Sequence, residues 1–500
     1  MKKIFTRAFL LLLALCLMLP AAVSCTTEDA EGASTNATDT TDAITDNGGT
    51  NADGLETDED GFVILDMDDV SLNREIRILY SDYLYGAEAV KQSDVGDDVV
   101  KKSVYARWQN VQDMLDAEIN WISEPGKWDG TQNTFMQKVQ TMSETGSAYD
   151  AVLCYNLIPG AMAHKGLLQN LIDSDYIDLS MPWWPRAYIE ESIVNDVLFG
   201  VAENSSKSNL IQLHGVFFNN TLIDSYGLTS PYEYVYNNTW TFDNMLALIK
   251  DVGSDVNENG KKDDADFYGL VTGTQAKIET WFFAMGYRYS QKNANGEIDL
   301  LIGDADKMVE WVDRFTNATA SKDFLIYDSS HTKALFENRA ILYMTSLVML
   351  EEMLQKGVEM DYGVVPVPKG SDSQERYLSN VANHYAVWCV PNDVADFQES
   401  TAVIECMAYE SYRTVAPMYF DTCVKLRYAP DERLYEMYDM IRNSITFDFC
   451  QTYSFVFSTD PRTLITNCAT GKKNWASQWG DVGGSFENSF AEILTLYGLG

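Results

Sequence analysis

The sequence predicts an α/β protein built from two lobes. The chain has 500 residues, which is too long for one ordinary domain. Apolar residues make up 46% of it and aromatic residues 12%, which is enough to fill sizeable cores. From residue 72 onward, short apolar stretches alternate with stretches whose apolar residues recur every three or four positions. This alternation predicts a mostly parallel sheet covered by helices.

The predicted elements follow in order along the chain. The segments "EIRILYSDY", "INWIS" and "YDAVLCYN" predict the first three strands. Two helical faces follow the first two strands, and their residues are Val104, Trp108, Val111 and Leu115, then Phe135, Val139 and Met142. The early proline of "PGAMAHKGLLQNL" favours the start of a third helix. Farther on, "LIQLHGVFFNNTLIDSYGL" predicts a strand that enters a helix, and Thr241 is the predicted N-cap of the next helix.

Polar and aromatic residues follow the first and third predicted strands. In open α/β sheets, ligands bind beyond the carboxyl ends of the strands. The sequence therefore predicts a ligand site that includes Ser81, Asp82, Tyr83, Tyr155 and Asn156.

The charge and the histidines exclude several classes of partner. A formal net charge of −38 argues against nucleic acid, because a phosphate backbone requires a basic surface. It also disfavours electrostatic adhesion to anionic lipids. Only four histidines are present, and they are scattered, which disfavours a transition metal as cargo.

The N-terminus has the pattern of a secretory signal peptide over residues 1–24. Lys2, Lys3 and Arg7 precede an apolar run that is too short to span a membrane. The segment "AVSC" ends at Cys25 and resembles a bacterial lipobox, in which the cysteine is lipidated; plain cleavage is the alternative. Residues 25–71 are predicted to be an acidic disordered tether, because residues 26–61 contain no Lys or Arg and almost no bulky apolar residue.

The segment "DVNENGKKDDAD" has the spacing of a calcium-binding loop. Oxygen ligands are expected at its positions 1, 3, 5, 7 (by the backbone), 9 and 12, which are Asp255, Asn257, Asn259, Lys261, Asp263 and Asp266. Lys262 and the short side chain of Asp266 depart from the sensor pattern, and a strand rather than a second helix follows. The sequence predicts a structural Ca²⁺ site; the alternative is an Asn- and Gly-rich surface turn.

The cysteines and the catalytic motifs give little information. Six cysteines follow Cys25, with no CxxC spacing, so buried thiols and one or two disulfides both remain open. The sequence contains no GxSxG, P-loop or GxGxxG motif.

Several segments together carry a resemblance to a known family. They are the lipobox, "LHGVFFNNTLIDSYGL", "TWTFDNMLALI", the acidic loop followed by "DFYGL", "LFENRAILYM" and "DYGVVPVPKG". In this order they resemble the extracellular solute-binding proteins of family 1, the sugar-type receptors of ABC importers. Two further segments, "PWWPRAYIEESIVNDVLFGVAE" and "LRYAPDERLYEMYDMIRNSITFDF", are similar to firmicute members. The resemblance spans residues 72–460.

The resemblance implies the type II fold of periplasmic binding proteins. In that fold two α/β lobes are joined by crossing strands, and a ligand is held in the cleft between them. Lobe 1 is expected to comprise residues 72–212 and 379–425, and lobe 2 residues 213–378 together with C-terminal helices in 426–500.

Aromatic and polar side chains are candidates for the cleft. A tryptophan offers a flat apolar surface to the C–H face of a sugar ring. The candidates are Trp183, Trp184, Trp281, Tyr287, Arg288, His384 and Tyr385. For the tryptophans the alternative is a place in the core, and for Arg288 it is a surface ion pair.

These observations predict a non-enzymatic receptor that captures a sugar or oligosaccharide by lobe closure and delivers it to an ABC permease. The protein is expected to be monomeric, exported and anchored by lipid to the outer face of the cell membrane. Two alternatives remain open: a glycan-binding or sensing lipoprotein without a permease, and a glycoside hydrolase with two carboxylates.

Overall fold

The computed structural model describes residues 49–84, 88–145, 149–263, 265–327, 334, 336–358, 360–381, 385–420 and 432–499. The predicted signal peptide, Cys25 and His384 lie outside these ranges. The strands are β1 Gly49–Thr50, β2 Glu56–Thr57, β3 Arg74–Ser81, β4 Ala117–Glu124, β5 Ala151–Tyr155, β6 His214–Asn219, β7 Tyr268–Gly273, β8 Ser290–Lys292, β9 Ile298–Leu300, β10 Phe324–Tyr327, β11 Ala340–Ser346, β12 Tyr362–Pro366, β13 Ser379–Asn380, β14 Ala386–Cys389 and β15 Ile445–Thr446.

The helices cover both sheets and form most of the C-terminal part. They are α1 Gln92–Val95, α2 Val99–Leu115, α3 Thr131–Thr145, α4 Ile158–His164, α5 Arg186–Ser192, α6 Lys207–Ile211, α7 Asn220–Ser225, α8 Pro231–Tyr236, α9 Phe242–Leu248, α10 Ala276–Ala284, α11 Ala305–Ala320, α12 Val348–Gln355, α13 Phe397–Glu410, α14 Glu432–Asn443, α15 Phe449–Thr452, α16 Pro461–Ala469 and α17 Trp475–Thr495. None of the described helices is both long and apolar enough to cross a membrane.

Lobe 1 is built around the sheet β14-β5-β3-β4. Strands β4 and β5 run parallel to β3, and β14 runs antiparallel to β5. The register pairs Ser81 with Glu124 and Tyr155 with Ala386, so the carboxyl ends of β3, β4 and β5 meet at the edge where β14 begins. Helix α2 covers one face of the sheet with the apolar stripe that the sequence predicts, capped by Asp98.

Lobe 2 is built around the sheet β10-β7-β11-β6-β12. Strands β10 and β11 run parallel to β7, and β6 is antiparallel to its neighbours β11 and β12. The hydroxyl of Thr241 accepts the Asn244 N–H at 3.3 Å and caps α9, as predicted. Helix α14 packs on β12, and α16 and α17 pack on α11.

Short crossing segments bring the two sheets face to face. Helix α6 leads from lobe 1 into β6, whose first residue, His214, pairs with Ser346 at the carboxyl end of β11. The hydroxyl of Ser208 on α6 accepts the N–H of Ala386 at 3.2 Å, at the carboxyl edge of the lobe 1 sheet. Helix α6 contacts the lobe 1 edge, and β6, which follows it directly, begins at the lobe 2 edge, so the two carboxyl edges face each other across this segment.

The disordered tether that the sequence predicts for residues 25–71 extends too far towards the C-terminus. Residues 49–71 are described, and part of this segment packs against lobe 1. The side chains of Val63 and Met67 are buried, and Phe62 makes an edge contact with Tyr412 at 5.5 Å. The reason is compositional, because apolar residues reappear at Phe62 after the acidic tract and bury surface that offsets the entropy of ordering.

The described cysteines are buried free thiols: Cys154, Cys389, Cys406, Cys450 and Cys468. Of the two alternatives that the sequence leaves open, the structure favours the thiols for these five residues. Cys154 and Cys389 lie on neighbouring strands at diagonal positions, where Cα atoms are about 7–8 Å apart and too far for an unstrained disulfide.

Candidate functional site

A row of aromatic rings lies along the carboxyl edge of the lobe 1 sheet. The ring of Tyr83, after β3, lies 4.6 Å from that of Trp128, which follows β4, at an interplanar angle of 80°. Tyr83 is also 6.3 Å from Tyr155, the last residue of β5, and Tyr155 is 6.1 Å from Phe455. Trp128 is 48% exposed, whereas Tyr155 is buried. The row therefore runs from an exposed end at Trp128, here called the rim, to a buried end at Tyr155, here called the floor.

Charged groups surround this row. The Asp82 carboxylate is exposed at the end of β3. The ammonium group of Lys127 lies 5.5 Å from the centre of the Tyr83 ring and 3.2 Å from a carboxylate oxygen of Asp129. Aromatic rings here lie next to hydrogen-bond donors and acceptors that carry positive and negative charge. Such a lining suits a polar ligand that also has an apolar face.

The floor beneath the row links the two lobes through Arg462 and Glu279. The Arg462 guanidinium, on α16, hydrogen-bonds the hydroxyl of Tyr155 and pairs with Asp460 at 3.0 Å. Arg462 Nε has no partner among the described residues. The Glu279 carboxylate, on α10, accepts the hydroxyl of Tyr289 at 2.9 Å and the Asn380 amide at 3.2 Å. Burial raises the pKa of Glu279 to about 7; nearby Arg462 opposes that rise and Asp460 adds to it.

Three crossing segments of the described chain, namely α6 with β6, then β13, then α15, converge on Glu279 and its neighbour Thr280. Asn380, in β13, accepts the Thr280 hydroxyl at 2.7 Å, and Nδ1 of His214 lies 3.0 Å from the same hydroxyl. The side chain of Gln451, in α15, hydrogen-bonds Glu279. Burial, with a smaller contribution from Lys277, lowers the pKa of His214 to about 3, so its imidazole stays neutral. Glu279 and Thr280 on α10 thus contact all three of these described segments.

The predicted residues at the strand ends take different places. Asp82 and Tyr83 lie at the rim and Tyr155 in the floor. Asn156 is buried and hydrogen-bonded to the hydroxyl of Tyr385, which is buried as well. Asn156 Oδ1 itself has no hydrogen-bond partner in the described part of the chain. Ser81 is fully buried and bonds the loop before Trp128, so it has no surface for a ligand.

The two adjacent tryptophans form part of the lobe 1 core rather than a sugar platform. Trp183 and Trp184 are 0% and 2% exposed. Their indole N–H groups donate to the two carboxylate oxygens of Glu405 at 2.9 and 3.1 Å. Burial raises the pKa of Glu405 to about 8, and the two indole donors oppose that rise. Both rings are held against α13 by Glu405, a contact that sequence spacing does not reveal.

The second group of candidates is also structural. Trp281 is fully buried in lobe 2, and its N–H faces the Thr272 hydroxyl at 3.3 Å. Arg288 donates to the carbonyls of Phe283 and Tyr287 at 3.0 and 2.7 Å and to the Thr446 hydroxyl at 3.2 Å. These donors are used inside the protein, where they hold β15 against lobe 2, and Arg288 forms no ion pair with the described residues.

Sequence reasoning missed Trp128, Phe455 and Arg462. Trp128 could have been predicted from the rule that ligands bind beyond the carboxyl ends of strands (the strand-end rule), because "EPGKWDG" follows the predicted strand "INWIS" directly. Phe455 and Arg462 carry no such signal. They reach the floor from the C-terminal segment, about 300 residues beyond β5 in the chain.

The acidic loop is closed by its own hydrogen bonds. The Asp255 carboxylate accepts the N–H groups of Asn259 and Gly260 at 3.2 and 2.8 Å. Asn257 and Asn259 donate their side-chain amides to Asp263. Asp266 is buried and accepts the Val256 N–H at 3.0 Å. Among the described residues, no group of three or more His, Cys, Asp or Glu side chains is placed to hold a metal ion.

Two features of this loop bear on calcium. Lys262, which departs from the calcium-loop pattern, turns away and donates to the carbonyls of Thr319 and Phe324 at 2.9 and 3.2 Å. Its charge therefore does not occupy the centre of the loop. The remaining ligand candidates all supply hard oxygens, which suits Ca²⁺, but the two asparagine amides would have to turn over to present their oxygens.

Comparisons with solved structures identify the fold. The GacH receptor of Streptomyces glaucescens, solved unliganded and with acarbose, matches with a TM-score of 0.53 and 12% identity, covering 85% of this chain and 99% of its own. A cyclo/maltodextrin-binding protein complexed with maltotetraose matches with a TM-score of 0.51 and 11% identity over 85% and 96%. No protein-family model and no curated protein matches the sequence.

The fold is therefore that of the two-lobed receptors that bind solutes. The predicted fold class, α/β of the type II periplasmic-binding-protein kind with two lobes and a cleft, is confirmed. At identities this low the likeness establishes the fold alone.

Proposed function

We propose that this protein is an extracellular substrate-binding receptor that captures a sugar or oligosaccharide between its lobes. The observation that carries the proposal is the exposed ring of Trp128 against Tyr83, at the sheet edge that faces lobe 2. An aromatic ring of this size offers an apolar face to the C–H groups of a sugar, and the neighbouring charged groups offer partners to its hydroxyls. The similar receptors solved with acarbose and maltotetraose support the same ligand class.

In this proposal each part of the site has a task. Trp128 and Tyr83 stack on sugar rings, and Asp82 and Lys127 bind hydroxyl groups at the rim. Closure of lobe 2 over the ligand then excludes water, with α10 and the crossing segments as the hinge. No step changes a covalent bond of the ligand.

The same proposal places the receptor outside the cell. The signal peptide would direct export, and lipid on Cys25 would anchor the chain to the outer face of the membrane. An ABC permease is the partner that would receive the sugar. A permease gene next to this one would favour import over glycan sensing.

Replacing Trp128 by alanine is expected to weaken sugar binding about 30-fold, because truncating a central aromatic anchor costs about 2 kcal/mol. A thermal-shift screen of mono- and oligosaccharides, with maltotetraose included, first identifies sugars that raise the melting temperature. Isothermal calorimetry then measures their Kd. Tyr226→Ala is the matched control, since Tyr226 is also 48% exposed but lies on the outer part of lobe 2 against Phe267.

Three results would count against this function. One is the absence of any stabilising carbohydrate, and another is an equal loss of affinity in Trp128→Ala and Tyr226→Ala. The third is release of reducing ends from an oligosaccharide by the purified protein, which would favour the glycoside hydrolase.

We also propose that the acidic loop binds a structural Ca²⁺ through Asp255, Asn257, Asn259, Asp263, Asp266 and the backbone of Lys261. Bound calcium would pin the turn between α9 and β7 to lobe 2.

Removal of calcium is expected to lower the melting temperature. A ligand at 100 times its Kd stabilises the folded state by about 3 kcal/mol. The measurement is thermal unfolding in Ca²⁺ and in EDTA. Asp255→Ala should abolish the difference, while Asp313→Ala, an exposed change on α11, should preserve it. An identical midpoint in Ca²⁺ and EDTA would leave the loop as a plain turn.

A further inference from the structure

The loop that presents Trp128 is fastened to the end of the neighbouring strand. The hydroxyl of Ser81, the last residue of β3, donates to the carbonyl of Gly126 at 2.6 Å. Ser81 is fully buried, and Gly126 is buried with it. A buried hydroxyl bonded to a buried carbonyl satisfies both groups, and removing one of them leaves the other unpaired.

Gly126 fits closely at this point. A Cβ atom added to it would lie 2.9 Å from Cδ2 of Phe135 and 3.0 Å from Oγ of Ser81. Phe135 belongs to α3 and is itself buried in the core. The loop is thus enclosed by a strand on one side and a helix on the other.

A second set of bonds fixes the residues on either side of Trp128. The hydroxyl oxygen of Thr131 accepts the Lys127 N–H at 3.0 Å, and the same hydroxyl donates to Asp129 at 2.7 Å. That hydroxyl bond is the main reason why the pKa of Asp129 lies below its ordinary value. The carbonyl of Lys127 accepts the Gln132 N–H at 3.1 Å. The backbone around Trp128 is therefore bonded on both sides while its ring remains half exposed.

We propose that Ser81 is a positioning residue for sugar binding, which acts only by holding Trp128 in its binding orientation before the ligand arrives. This inference rests on the proposed function and deepens it. Ordering a loop at the moment of binding costs free energy that would otherwise appear as affinity. A platform held in place by Ser81 avoids that cost, although Ser81 itself never touches the ligand.

The first test needs no ligand. The protein is labelled with 5-fluorotryptophan, and the ¹⁹F resonance of Trp128 is assigned from its loss in Trp128→Phe. In Ser81→Ala that resonance is expected to shift and broaden, because the loop samples several positions. Ser400→Ala removes a fully buried hydroxyl bonded to a carbonyl at 2.9 Å elsewhere in lobe 1 and should leave it unchanged. An unaltered Trp128 resonance in Ser81→Ala would overturn the proposal.

The second test separates positioning from general stability. Ser81→Ala is expected to raise the Kd for maltotetraose about 5-fold in the wild-type background and to have no effect in a Trp128→Ala background. Equal losses in both backgrounds would contradict action through Trp128. If wild-type protein binds neither maltotetraose nor any other carbohydrate of the thermal-shift screen, the proposed ligand class fails, and the ¹⁹F result alone decides the role of Ser81.

Discussion

Replacing Arg107 by alanine is expected to destabilise the protein by about 3–5 kcal/mol, because it leaves two carboxylates buried without their cation. The Arg107 side chain is fully buried in α2. It donates to a carboxylate oxygen of Glu88 at 2.8 Å and lies 3.9 Å from Glu203. Burial raises the pKa of Glu203 to about 7, and Arg107 opposes that rise.

The destabilisation in Arg107→Ala is also expected to reach α6, the first crossing segment of the hinge. Glu88 accepts the N–H of Ser208 at the start of α6 with its other oxygen, at 3.1 Å. A displaced Glu88 therefore loosens the first crossing segment as well as lobe 1.

Urea unfolding at pH 8 and pH 5 measures this prediction. The destabilisation should be smaller at pH 5, where a protonated Glu203 removes one of the buried charges. Lys101→Ala, an exposed change on the same helix, should stay within about 0.5 kcal/mol of wild type. A loss below about 1 kcal/mol in Arg107→Ala would show that the cluster tolerates an unpaired charge.

Replacing Glu279 by glutamine is expected to remove a distinct part of the pH dependence of stability. The pKa of Glu279 is about 7 in the folded chain against an ordinary value of 4.5, chiefly because of burial. A raised carboxyl pKa means that the folded state holds the proton more tightly than the unfolded state. The contribution is therefore fully present below pH 4.5 and is lost as the pH rises towards 7 and beyond, by an amount on the order of 3 kcal/mol.

Thermal unfolding between pH 4.5 and 8.5 tests this. The melting temperature of wild type should fall more steeply over this range than that of Glu279→Gln, which carries no proton to lose. Glu487→Gln, at an exposed position of α17, should follow the wild-type curve. Wild-type and Glu279→Gln curves that run parallel would mean that Glu279 does not titrate in this window.

Other carboxyls that are wholly or partly buried add to the wild-type slope. Burial raises the pKa of Glu191 to about 7 and that of Glu405 to about 8. Both act in the same direction as Glu279, so the whole chain is expected to be more stable near pH 5 than near pH 8. The difference between the two curves, rather than the wild-type slope, isolates Glu279.

The strand-end rule located part of the candidate site from sequence. It pointed to Tyr83 and Tyr155, and the structure brings both into one aromatic row. It also pointed to Ser81, whose hydroxyl turns inward to Gly126, because a strand-end position does not fix the direction of a side chain. The same rule reached Asn156 but not its buried bond to Tyr385.

The sequence did not reveal which tryptophans are exposed. The pair at Trp183 and Trp184 stands out in the sequence, yet both rings are buried against Glu405. Trp128 stands alone in a short polar loop and is the ring that remains exposed. Burial depends on which helix covers a segment, and neither flanking residues nor spacing reveals this.

The sequence by itself determined the α/β alternation, the stripe of α2, the cap at Thr241 and the edge of the sheet at which a ligand would bind. These features follow from local periodicity and from the shared direction of parallel strands, so neighbouring residues suffice to predict them. Only the tertiary structure decided which aromatic rings remain exposed to solvent. It also brought Glu279, Arg462 and the three crossing segments together in one floor. Those contacts join residues separated by about 100 to 300 positions, and they depend on packing that no local pattern encodes.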